Sequence, residues 1–124
     1  FVPKAHTPFQ WQGVRPEAEK RLKLLAKRLK PKGIDLRPES YGWSVIQALL
    51  SRSDRRLAPV IAAARGSHES LGGWKKAYRE GVDLPAWEEV VHGSWEASRV
   101  LPWEHLEGPL PKSTLAKHQS EALG

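Results

Sequence analysis

Apolar positions recur at helical spacing through the middle of the chain, from Tyr41 to Gly66 (YGWSVIQALLSRSDRRLAPVIAAARG). Trp43, Ile46, Leu49 and Leu50 fall on one face, and Leu57, Val60, Ile61 and Ala64 repeat it at i, i+3, i+4, i+7. The spacing predicts two helices broken by a charged knot, Ser51-Arg52-Ser53-Asp54-Arg55-Arg56. Pro59 then falls in the first turn of the second helix, where a missing N–H does least harm. Asp54 can cap that helix or pair with Arg52, Arg55 or Arg56.

Before this pair, Pro16 with Glu17 and Glu19 opens a helix that runs to about Lys30. Ala18, Leu22, Leu25 and Leu29 form its expected buried stripe, and Pro31-Lys32-Gly33 ends it. Phe1–Lys4 reads as the end of a strand, and Ile34-Asp35-Leu36-Arg37 alternates as a short half-buried strand would, with Pro38 limiting its length. After the pair, Gly66–Ser70 is a link containing His68 and Glu69. Ser70 caps a helix over Leu71–Glu80, with Leu71, Trp74 and Tyr78 on one face. Asp83-Leu84-Pro85 starts another through Trp87, Val90 and Val91. Prolines 102, 109 and 111 with Gly108 predict irregular chain from Ser94 to Pro111, pinned by Trp95 and Trp103, before a last helix capped by Ser113. The expected fold class is therefore mainly α with two short strands (α+β). Residues 1–38 hold the strands and the first helix, and residues 39–124 form a helical extension.

Charge changes this picture at one place. The net charge is +6, and Arg15–Lys32, with eight basic residues and two acidic, accounts for it alone. Lys20, Lys23, Lys27 and Lys30 line one face of the first helix. Such a row can track phosphates of RNA or another nucleic acid, or simply be a solvated face. For Lys4, His6 and Thr7 the plain reading is a surface lysine, a solvated histidine and a threonine preparing the turn before Pro8.

Composition removes several chemistries. The 124 residues suit one modest core. The absence of cysteine excludes disulfides, thiolate metal sites and a cysteine nucleophile within the chain. The histidines at 6, 68, 92, 105 and 118 show no metal-ligand spacing, and no serine-nucleophile, phosphate-loop or dinucleotide motif occurs. No catalytic residue and no metal ligand is therefore assigned. A mean hydropathy of −0.54 and short apolar runs give no membrane span, and no secretory pattern is found, so a cytoplasmic location is expected. Six tryptophans against two tyrosines and two phenylalanines suggest one large anchor for nearly every element. The start at Phe1-Val2-Pro3-Lys4, with no methionine in the chain, leads to the expectation of a longer polypeptide.

Three stretches carry a family resemblance. Phe1-Val2-Pro3-Lys4-Ala5-His6-Thr7-Pro8-Phe9-Gln10-Trp11 resembles the last barrel strand and following loop of radical S-adenosylmethionine proteins, in the branch that often carries an N-terminal cobalamin-binding domain. Ser51-Arg52-Ser53-Asp54-Arg55-Arg56-Leu57 resembles the Ser-Arg-Gly-Asp-Arg-Arg segment of that branch's C-terminal extension. Leu101-Pro102-Trp103-Glu104-His105 resembles its Leu-Pro-Trp-Asp-His segment. Ala5 stands where proline is common, and Ser53 where glycine is common.

The resemblance implies the C-terminal part of a cobalamin-linked enzyme, closing its barrel and shaping the substrate side. The [4Fe–4S] cluster, S-adenosylmethionine and cobalamin would be held by the rest of that polypeptide, which is also the implied partner. Lys4, His6 and Thr7 would lie near substrate or cofactor. Arg52, Asp54, Arg55 and Arg56 would form a structural ion-pair network or bind an anion. Two alternatives stand beside this reading: a basic nucleic-acid-binding module, and a ligand-free helical interaction domain.

Overall fold

The computed structural model describes residues 2–66 and 70–124. Among the described residues six α-helices follow one another: α1 (Glu17–Leu29), α2 (Tyr41–Arg52), α3 (Ala58–Ala64), α4 (Leu71–Arg79), α5 (Trp87–Val91) and α6 (Lys112–Leu123). The link expected at His68 and Glu69 lies outside the described residues.

Local chemistry sets most of the helix ends. Glu17 and Glu19 occupy the first turn of α1 and Lys27 and Arg28 its last, matching the helix dipole. Gly33, at φ 74°, takes the left-handed turn that closes the short 3-10 segment after it, a conformation costly to other residues. Asp54 caps a 3-10 turn over Arg55–Leu57 by accepting from the Arg56 N–H, and Pro59 falls in the first turn of α3. Ser70 caps α4, its hydroxyl accepting from the Gly73 N–H at 3.1 Å. The last helix differs in detail: it begins at Lys112 after Pro111, and no side chain caps it.

Two clusters make up the core. In the larger one α2 packs against α4 and α5, and α3 against α4. It buries Val45, Ile46, Ala48 and Leu49 with Leu57, Val60, Trp74, Tyr78, Val90 and Val91. The smaller one joins Trp11, Trp95, Leu101 and Leu115, with Trp103 packed against it. Val14 in the larger cluster and Trp11 in the smaller are thus buried with residues from beyond position 38.

The expected α+β fold with barrel strands is not what forms. Among the described residues there is no strand, and the architecture is helical. Val2–Lys4 and Ile34–Arg37 are both irregular, and Ile34, whose N–H bonds back to Leu29 O, is 52% exposed. A strand needs a neighbour for its free N–H and C=O groups. No backbone hydrogen bond joins these two segments, and Pro3 and Pro38 have no N–H to give. The chain instead pairs 11–14 with 91–95 through two single bonds, Val14 N–H to Val91 O and Trp95 N–H to Trp11 O, each 2.8 Å.

Two expected faces are also rotated. Trp43, Leu50 and Ile61 remain about half exposed, and α2 turns Val45, Ala48 and Arg52 inward instead. In α1 no residue is fully buried; Ala18, Leu22, Ala26 and Leu29 are half-buried, while Leu25 is exposed.

Candidate functional site

The centre of the molecule is a buried arginine. Arg52, in the last turn of α2, is only 2% exposed. Its Nη1 donates to Val90 O at 2.8 Å, and its Nη2 to Gly93 O at 2.8 Å and Trp11 O at 3.3 Å. It therefore satisfies the carbonyls of Val90 and Gly93 at and just beyond the end of α5, groups that a helix end leaves without partners, and shares Trp11 O with the Trp95 N–H. Its guanidinium carbon also sits 3.7 Å from the centre of the Trp95 ring, a cation–π arrangement strengthened by burial.

Arg99 shares that ring, at 4.4 Å, and pairs with Glu89 at 2.6 Å. Burial first, and the charge of Arg99 second, push the Arg52 pKa down to about 10, still cationic at neutral pH. No carboxylate among the described residues reaches Arg52, and its Nε has no protein acceptor.

The arginine knot thus divides. Arg56 is held by Asp54 through Nε and Nη2 and donates from Nη1 to Asp83 O at 2.8 Å. These hydrogen bonds hold the Asp54 carboxyl below its ordinary range and raise the Arg56 pKa. Arg55 is exposed. Arg52, one of the three arginines open to Asp54 from the sequence, belongs to Trp95 and the carbonyls.

The N-terminal candidates lie on another side. His6 has φ 56°, an uncommon backbone for a residue with a side chain. Its N–H is held by the buried Gln10, whose Oε1 also accepts from Trp103 Nε1 at 2.9 Å. His6 lines a cleft of about 330 Å³ with Trp103, Glu104 and Lys112, the last two paired at 2.7 Å. Thr7 spends its hydroxyl on Lys4 O at 2.7 Å, and Lys4 is exposed. Leu101 lines both this cleft and the arginine-lined one. Lys20, Lys23, Lys27 and Lys30 are all exposed, and Lys23 pairs with Glu19 at 2.7 Å.

Sequence reading missed Trp11 and Arg99 as members of the centre, and Gln10 as the residue that holds His6 and Trp103. The one available signal was the spread of tryptophans, which pointed to anchors without saying which charges they would hold.

The resemblance implies an iron–sulfur cluster, but the chain has no cysteine to hold one, so its residues do not fit that group. Among the described residues no group of three or more His, Asp or Glu side chains could hold a metal ion. None of the described helices is long and apolar enough to cross a membrane.

No family model matches the chain, and no solved structure matches it. It is similar to uncharacterized protein MJ0966 of Methanocaldococcus jannaschii, with 27% identity over 76 residues. That stretch is 61% of this chain and 17% of the curated relative, so the chain spans well under a fifth of that protein's length.

Proposed function

We propose that the chain is the C-terminal region of a cobalamin-linked radical S-adenosylmethionine enzyme, acting as a helical cap that shapes the substrate side. The reductive cleavage of S-adenosylmethionine would be carried out elsewhere in the polypeptide. One observation supports this reading above others: the three stretches behind the resemblance meet in space. Gln10 of the first binds Trp103 of the third, and Arg52 of the second binds Trp11 of the first. Stretches that form one junction are expected to be kept together as a motif set. The much greater length of MJ0966 is consistent with a cap on a larger protein. In this reading His6, facing its cleft, is the N-terminal group nearest the substrate side.

The test is anaerobic purification of the native gene product, reduction, and incubation with S-adenosylmethionine. Formation of 5′-deoxyadenosine is expected. None forming from a product whose cluster is intact would contradict the proposal.

A second reading rests on α1, which buries no residue and leaves all four lysines of its row in solvent. Such a helix would bind RNA through phosphates, with affinity falling steeply as salt rises. Retained RNA binding after Lys23→Glu with Lys27→Glu, or binding insensitive to salt, would remove it.

A further inference from the structure

Arg52, Arg56 and Arg99 line a single cleft of about 270 Å³, together with Trp95 and, among the described residues, one carboxylate, Asp54. Their charges are unequally balanced. Asp54 occupies Arg56, and Glu89, outside the lining, pairs with Arg99. Arg52 is matched only by neutral carbonyl oxygens, with Nε left over. The guanidinium carbons of Arg52 and Arg99 lie 3.7 and 4.4 Å from the centre of the same ring, that of Trp95, and the carboxylate of Glu89 pairs with Arg99 and not with Arg52.

We propose that this cleft binds a phosphate group, as inorganic phosphate or as the phosphate end of a small ester. A buried cation near a second cation is costly, and an anion held in the cleft that both line offsets the repulsion and the loss of water. The fall in the Arg52 pKa, caused by burial and Arg99, reports the same strain on its charge. A carboxylate fits one guanidinium fork, whereas a phosphate offers oxygens to forks arriving from different directions. The cleft has room for a phosphate with a few attached atoms and is too small for a nucleic-acid strand. This site stands on the cleft's geometry and does not depend on the enzyme reading.

Isothermal titration of the chain tests it, with inorganic phosphate and methyl phosphate as separate probes in sodium chloride of matched ionic strength. Acetate is the carboxylate control. Arg52 is left intact, because its removal strips the Val90 and Gly93 carbonyls of their donor. Arg99→Gln removes one guanidinium. Val100→Asp places a negative charge at the rim, where Val100 is 79% exposed and contributes little packing. Circular dichroism verifies the fold of both variants. Saturable binding of one phosphate per chain is expected, weakened about tenfold or more by either variant. Tighter binding of methyl phosphate would identify an ester as the ligand, and equal or weaker binding would identify the free ion. No binding beyond chloride, acetate binding as well as phosphate, or both variants binding as the unaltered chain does would overturn the proposal.

Discussion

The guanidinium carbon of Arg52 lies 3.7 Å from the centre of the Trp95 ring while its nitrogens hold carbonyls of three other residues. One side chain thereby fastens α2 to the end of α5, to the N-terminal loop and to the smaller core cluster. Arg52→Met keeps a similar volume but removes every donor, leaving the Val90 and Gly93 carbonyls without their Arg52 partner while Trp11 O keeps the Trp95 N–H. A loss of about 3 kcal/mol or more is expected. Arg52→Lys should recover only part, because an ammonium cannot reproduce the planar fork. Urea denaturation measures both; a loss below about 1 kcal/mol for Arg52→Met would contradict the role.

The tryptophans should separate into two groups. Trp11 is 1% exposed within the smaller cluster, whereas Trp43 is 50% exposed beside an open apolar cleft shared with Ile61. Trp11→Ala is expected to cost about 3–5 kcal/mol and Trp43→Ala far less. Chemical denaturation decides this, and equal losses would show that Trp43 is packed more tightly than its exposure indicates.

Glycines give a contrast of sign. A methyl group at Gly13 would run into the backbone of His92, close to where Val14 N–H meets Val91 O. Gly13→Ala should therefore lower stability by about 2 kcal/mol or more, since backbone cannot step aside cheaply. A methyl group at Gly72, inside α4, would meet Ser70 Oγ at an ordinary contact distance of 3.9 Å, and Gly72→Ala should stabilise by about 0.5–1 kcal/mol through helix propensity. Thermal unfolding of the two variants checks both signs.

Acid should unfasten two local contacts. Hydrogen bonds from Arg56 hold Asp54 below its ordinary 3.8, and those from Lys112 and the Leu101 N–H hold Glu104 below 4.5. Folded pKa values below the unfolded ones mean that this stabilisation is full above the ordinary values. It is lost as pH falls through the depressed ones. The difference in midpoint between the unaltered chain and Asp54→Asn or Glu104→Gln should be greatest near neutral pH and vanish in strong acid. A difference that grows on acidification would reverse the assignment.

Much of the helical framework was legible because its signals are local. Pro16 with two acidic residues, the Pro31–Gly33 stop, the Asp54 and Ser70 caps, and Pro59 in a first turn each act within a few residues. The strands misled because alternation in Ile34–Arg37 describes a side-chain pattern, while a strand exists only if a partner is found. Helical periodicity likewise gave a face for α2 but not its rotation, which Arg52 settles by bonding to residues 38 and 41 positions away. The site was half legible. Arg52, Asp54 and Arg56 were recognised as a cluster, yet their division between Trp95 and Asp83 rests on contacts across the fold.

The most direct measurement is the intact mass and iron content of the product that the native cell makes. A polypeptide several times 13.9 kDa, carrying about four iron atoms for one cluster, is expected of the cap of a radical enzyme. A native product near 13.9 kDa and free of iron would contradict that reading.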